Sequence, residues 1–365
     1  MLGAPLPFSV RDAGRMLLLA RGQVIADEEQ LEALFKRGAL VEVDELTEAI
    51  QQPGRQRESL QQRLARLPAA WERGGRDVRQ ALGLPLPQLL DALDSATDLL
   101  LSLIDASPDV ALSQVVRQPD SGGHYGINHS IHAATACQAA ARYLGWGPAE
   151  QRRAFQAALT MNLSMLELQA RLSSQVSPLT AKQREAIHEH PIRSAEMLGE
   201  AGITDQDWLE AVLTHHEVAD GSGYPNGSRD VGELAEMLRF ADVYTARLSS
   251  RASRPAMSAQ QAGAELLQMS AESPLAAALI KAFGIFPPGS VVRLASGELG
   301  IVVRNGEKAH RPLVASLTNA AGEPRLTPLR RDSARDEHAV VALLSAQSMP
   351  MRLTDERVAS LIGEG

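Results

Sequence analysis

The sequence predicts a mainly α protein: a helical-bundle core, a small α/β N-terminal unit ahead of it and a small β-rich C-terminal appendage behind it. Three observations carry this expectation. From Leu86 onward apolar residues recur at helical spacing, beginning with LPQLLDALDSATDLLLSLID, and about five or six amphipathic segments follow between Asn128 and Phe283. The first fifty residues mix short apolar runs with one helical stretch. After Phe286-Pro287-Pro288-Gly289 the period changes to β-branched runs separated by turn residues.

Taken in order, residues 1–50 form the α/β unit. Asp12-Ala13-Gly14 reads as a turn, and MLLLARGQVI as a strand, a turn at Arg21-Gly22 and a second short strand. Asp27 starts a helix with Leu31, Leu34 and Phe35 on one face, and Leu40 to Val43 returns as a strand. Residues 51–118 are a helical connector, rich in Gln and Arg at first, with Pro53-Gly54 at its front. The core, 119–286, breaks near Gly145–Pro148, Val176–Pro178, Gly199–Gly202 and Gly221–Gly227, and closes on a helix through Leu266 and Leu275. In the appendage, 287–365, SVVRLASGELGIVV places Ser296-Gly297 between two β-branched runs, a hairpin signal, and LVASL supplies a third strand.

At 365 residues the chain exceeds the size of one ordinary domain. Its 44% apolar and 22% charged residues suit a globular protein with a sizeable core. A net charge of −8 and a pI near 5.7 argue against a nucleic-acid partner and leave room only for a local basic pocket. One cysteine, Cys137, excludes a disulfide framework and a cysteine-based zinc site. No stretch approaches the ~18 apolar residues of a membrane helix, and the N-terminus lacks a signal-peptide pattern. The expectation is a cytoplasmic protein with no membrane insertion; the oligomeric state is not legible.

Seven of the nine histidines fall between His124 and His216. His129 lies near the start of one helical segment, His190 precedes Pro191 in another, His215-His216 end a third, and Asp242 sits in RFADVYTARL. Helical bundles build metal sites from ligands on several helices, and imidazoles with carboxylates suit Zn, Fe or Mn. On pattern alone the cluster is either a metal site or a structural group of histidines.

HHEVADGSGYP, with NHS upstream, HP between and FAD downstream, resembles the HD-GYP family over roughly residues 120–285. The resemblance implies an HD-type helical bundle and bacterial signalling, with phosphodiesterase chemistry on cyclic di-GMP. It places His129, His190, His215, His216 and Asp242 at metal-ligand positions. Gly223, Tyr224 and Pro225 fall on the loop that meets ligand or partner, and Arg251 and Arg254 on cationic contacts to the nucleotide. The alternative for both arginines is a solvated helix end.

The family's His-Asp pair is missing. In AALTMNLSMLELQ its positions hold Met161 and Asn162, with Ser164 and Met165 where a Gly and a Lys are expected. Two metals ~3.5–4 Å apart need an anionic bridge, which an amide does not supply, and a thioether favours Cu(I). The stretch reads as core, with no catalytic set intact. A partial site of His190, His215, His216 and Asp242 remains, able to take at most one Fe, Mn or Zn ion. Glu167 is a poorly phased substitute ligand, and Tyr125 stands where three-metal relatives carry a Glu. Two functions are implied. One is a non-catalytic module that binds cyclic di-GMP or a partner such as a diguanylate cyclase domain. The other is a weak or altered phosphodiesterase with an incomplete metal site, and the blander alternative to both is a scaffold with neither ligand nor metal.

Overall fold

In the computed structural model the described residues are 6, 8–14, 16–20, 23–25, 27–43, 60–118, 124–270 and 273–363. They divide into two units, Met1–Ser59 and Leu60–Gly365.

In the first unit, strands β1 (Val10–Arg11) and β2 (Leu17–Leu19) pair antiparallel with Val10 opposite Leu19. The turn between them is closed by Asp12, whose carboxylate accepts from the Gly14 and Met16 amides, each at 2.9 Å. Helix α1 (Glu28–Lys36) is capped by Asp27, which accepts from the Gln30 amide at 2.8 Å. Leu6, Phe8, Val10, Leu19, Ile25 and Leu34 form its core. Phe35 departs from expectation: it is 69% exposed, and the buried stripe runs through Leu34. Leu40 makes a single bridge to Arg11 rather than a strand, because β1 is two residues long and offers no further ladder. The expected turn at Arg21-Gly22 lies outside the described residues.

The second unit starts with α2 (Leu60–Leu82) and α3 (Leu86–Ala106). A Cβ at Gly74 would lie 2.7 Å from Leu100, so the missing side chain lets α2 approach α3 closely. Leu67, Trp71 and Val78 of α2 share one core with Leu93 and Leu100 of α3 and with Ile127 and Ile131. There follow α4 (Pro108–Arg117), α5 (Tyr125–Leu144), α6 (Pro148–Thr160), α7 (Leu166–Ser173), α8 (Ala181–Glu200), α9 (Gln206–Thr214), α10 (Glu233–Leu248), α11 (Ala259–Met269) and α12 (Pro274–Phe283). Helix α5 is central. Its buried Ala133, Ala134, Ala136, Ala140 and Ala141 keep its surface thin, so α6, α10 and α12 pack against it. The helices outnumber the segments expected from the sequence, partly because α6 stops at Thr160 without a glycine or proline to mark the break.

The chain ends in a five-stranded antiparallel sheet of order β6-β5-β4-β3-β7, with β3 (Val291–Leu294), β4 (Leu299–Arg304), β5 (Leu313–Thr318), β6 (Pro324–Asp332) and β7 (Val340–Leu344). The hairpin at Ser296-Gly297 forms as expected, with Gly297 at φ +85°. Ile301 and Val303 face the bundle core, while Val302 joins a second cluster with Val292 and Val314. A last helix, α13 (Asp355–Gly363), buries Val358, Leu361 and Ile362 and packs on α2. Among the described residues no single helix is long and apolar enough to cross a membrane.

Candidate metal centre

The histidine-proline pair in α8 explains its own geometry. Pro191 sits inside the helix and has no N–H, so the carbonyl four residues earlier, that of Ile187, loses its intrahelical donor. His190 Nδ1 donates to that carbonyl at 2.6 Å. The imidazole is thereby fixed in one tautomer, with its Nε2 lone pair aimed away from the helix. His215 repeats the device at the end of α9: its Nδ1 donates to the Val212 carbonyl, free in the last helical turn, at 2.6 Å.

The two Nε2 atoms then face each other at 3.2 Å. Both are acceptors while the rings are neutral. Burial, reinforced by His216, pulls His190 down to about 4, against the bond to Ile187, and burial with His190 beside it holds His215 at about 4. His216, lowered to about 3 by burial and then by His215, completes a trio in which one ligand atom from each ring lies within 4.8 Å of the others. Two lone pairs facing at this distance repel unless an electrophile lies between them. Nitrogens bound at ~2.0–2.1 Å to one tetrahedral zinc lie about 3.3 Å apart. The donor set therefore fits one borderline divalent ion, and the three neutral rings meet the protonation requirement of metal ligands.

His129 and Asp242 behave differently. His129 Nε2 donates to Asp242 Oδ1 at 2.8 Å, joining α5 to α10. Burial raises the Asp242 carboxyl, but the His129 hydrogen bond and the neighbouring imidazoles outweigh it, leaving the group below the usual carboxylate range. Met161 and Asn162 are fully buried, in the turn that ends α6 rather than within a helix. Asn162 has neither amide atom hydrogen-bonded among the described residues. Leaving a buried polar group so costs about 1–3 kcal/mol, and a metal or a water at Oδ1 would relieve part of it. Ser164 ties this turn to α8: its Oγ donates to the His190 carbonyl at 3.1 Å and lies 3.0 Å from Ser194 Oγ. Met165 borders a cavity of about 480 Å³ shared with His190 and Arg171.

The Gly223-Tyr224-Pro225 loop closes over the trio. The Tyr224 ring stacks on His216 at 4.6 Å and on His188 at 5.2 Å. The Tyr224–Pro225 peptide is cis. Gly223 is required by space: a Cβ there would lie 2.5 Å from the His216 carbonyl oxygen, Glu217 Cα and the Val218 nitrogen. Arg251 lies over the Tyr125 ring at 5.3 Å and donates through Nε to its hydroxyl at 2.9 Å, and Tyr125 stacks on His129 at 6.1 Å. Arg254 bonds the Ala246 carbonyl and exchanges backbone hydrogen bonds with Arg251. Glu167 is exposed and paired with His124.

Sequence reasoning missed Glu217, which is 1% exposed and accepts from the Asn226 and Ser228 amides at 2.7 and 3.0 Å. Its signal was present, an acid directly after the histidine pair and ahead of a glycine-rich turn. Ser194 carried none.

Residues 102–275 match the HD domain family. This segment is an HD domain. The chain is 30% identical over 183 residues to the cyclic di-GMP phosphodiesterase PA4108 of Pseudomonas aeruginosa, covering 49% of this chain and 44% of that protein. It is 24% identical over 155 residues to the cyclic di-GMP phosphodiesterase PdeB of Borreliella burgdorferi, covering 42% and 40%. The matched segment thus spans less than half the length of either relative. Among solved structures it is similar to Bd1817, an HDG"Y"P protein from Bdellovibrio bacteriovorus, at a TM-score of 0.49 and 19% identity over 75% of this chain and 94% of that one. The helical core and terminal sheet agree with the fold expected from sequence.

Proposed function

We propose that this HD-GYP-like chain is a degenerate signalling module that holds one divalent metal ion and binds cyclic di-GMP without hydrolysing it at enzyme rates. The observation behind this reading is the asymmetry of the centre. On one side three neutral imidazoles, His190, His215 and His216, converge on a common point. On the other, Met161 is packed in the core, Asn162 offers a neutral amide, and His129 and Asp242 bond to each other.

A divalent ion held by the trio supplies Lewis acidity. The remaining work falls to the chain's own residues. Arg251, steadied by Tyr125 beside His129, keeps its terminal N–H groups for a phosphate, and guanidinium forks suit such anions. Among the buried carboxylates of the described residues, Asp242 is bonded to His129 and Glu217 to the Asn226 and Ser228 amides, so neither stands uncommitted to bridge a pair of cations. The loop at Gly223, Tyr224 and Pro225 provides a surface for a protein partner such as a diguanylate cyclase domain.

A second reading, a slow metal-dependent phosphodiesterase, is favoured by the same preformed trio. Elemental analysis of protein purified without chelators, with cyclic di-GMP titration and turnover on one preparation, separates the two. The expected result is clearly less than two metals per chain, saturable binding and background turnover. Two stoichiometric ions with hydrolysis at ~1 per second or faster would overturn the proposal.

A further inference from the structure

We propose that Tyr224 and Glu217 are positioning residues for His216, so that the Gly-Tyr-Pro loop is the second layer of the metal centre. The inference rests on the metal reading above.

The three histidines are not held alike. His190 and His215 each donate Nδ1 to a backbone carbonyl at 2.6 Å, and that bond sets both tautomer and ring direction. His216 makes no side-chain hydrogen bond among the described residues. Its ring is fixed by packing: His215 at 4.2 Å, His190 at 5.0 Å edge-on, and Tyr224 stacked at 4.6 Å with the planes 23° apart. Tyr224 is itself backed by His188 at 5.2 Å, so the tyrosine is a wedge between two imidazoles.

The wedge needs an anchor, and Glu217 is that anchor. Its buried carboxylate accepts from the amides of Asn226 and Ser228, which lie beyond Pro225 on the far side of the loop. The Tyr224 amide donates to the His216 carbonyl at 3.2 Å, and Gly223 presses against the 216–218 backbone where no Cβ fits. The loop is thus bonded at both ends to the two residues that carry and follow the ligand. A partner or ligand that lifts the loop removes the ring support of His216.

The test is zinc affinity, measured by chelator competition on the full chain, with metal-free melting as control. Tyr224→Leu should weaken zinc binding tenfold or more, the range expected when a ligand's supporting partner is lost, while Tyr224→Phe keeps the ring and stays within twofold. Glu217→Gln should also weaken zinc and speed exchange of the Asn226 and Ser228 amides. A purely structural role would lower metal-free melting and leave zinc affinity alone. Zinc affinity within twofold for Tyr224→Leu, or a loss in Tyr224→Phe equal to that in Tyr224→Leu, overturns the proposal. If the parent takes up no zinc, the metal reading fails, and the wedge is read from the His216 ring-proton resonances of the metal-free protein. Those should move in Tyr224→Leu and hold in Tyr224→Phe; resonances unmoved in both overturn the wedge as well.

Discussion

Replacing Pro191 by alanine should make the metal-free protein more stable and its metal site worse. In an ordinary helix interior, proline costs about 3 kcal/mol relative to alanine, through the lost hydrogen bond and a clash with the carbonyl four residues back. Here the lost bond is already replaced, because His190 Nδ1 donates to the Ile187 carbonyl. A hydrogen bond nets only about 1 kcal/mol, and trimming a buried ring forfeits about 1 kcal/mol of packing. The expected gain in metal-free stability is therefore about 1 kcal/mol, read from urea midpoints. The backbone N–H that alanine restores at this position competes for the Ile187 carbonyl and releases the His190 tautomer, so zinc affinity should fall about tenfold, or ~1.4 kcal/mol. Nitrogen chemical shifts of His190 should move from a pure Nδ1–H form to a mixture. Zinc affinity equal to the parent's, with His190 still purely Nδ1-protonated, would refute the link between proline and ligand.

Three further outcomes are expected. Converting Arg251 and Arg254 to Ala should weaken cyclic di-GMP binding by about 1–3 kcal/mol per charged hydrogen bond lost, and unchanged calorimetric affinity would place the nucleotide elsewhere. Metal-free stability should be level above pH 7 and fall as pH drops from 6.5 toward about 4. Unfolded histidines take up protons in that window while His190 and His215 stay neutral, so a urea midpoint flat to pH 5 would contradict their burial. The triple change Met161→His, Asn162→Asp and Met165→Lys, checked first for cooperative unfolding, should raise metal uptake and lift phosphodiester hydrolysis above the parent's rate. No gain in either would mean the site has drifted beyond these positions.

The parts legible in the sequence were those whose signal is local. Adjacent histidines, a histidine before proline and a Gly-Ser-Gly-Tyr-Pro turn name themselves, and Ser296-Gly297 between β-branched runs gave the hairpin. Helix α2 was harder to read. Its buried residues, Leu67, Trp71 and Val78, make a narrow stripe through a Gln- and Arg-rich surface, so composition suggests a connector where packing makes core. Strand β6 shows no clean alternation because it is an edge strand whose residues are mostly exposed, and Leu326 projects fully into solvent. The Met161–Asn162 turn escaped notice because a single asparagine among apolar residues, with no glycine or proline beside it, is a weak turn signal. Its place is set by Ser164 bonding across to α8, a contact between residues 26 and 30 positions apart. The tautomers of His190 and His215 depend on which carbonyls are free, and only the three-dimensional arrangement shows that.

Asn162 bears on what such a centre retains. A buried position lined only by apolar neighbours would favour leucine, since an amide with both atoms unpartnered is costly. In the proposed reading, its two unpartnered amide atoms mark a place for a polar occupant. The three ligating imidazoles are then neutral, the amide is neutral, and the buried carboxylates are already engaged, Asp242 by His129 and Glu217 by the Asn226 and Ser228 amides. A single divalent ion would then leave most of its charge uncompensated, and Arg251 adds to the same field. Such a pocket attracts a phosphodiester strongly, because the anion supplies the charge the protein withholds. It also lacks the carboxylate bridge and second cation that stabilise attacking and leaving oxygens together. In the proposed reading, Met161 and Asn162 in place of a His-Asp pair would weaken catalysis more than binding, which is how a nucleotide sensor would arise from a hydrolase.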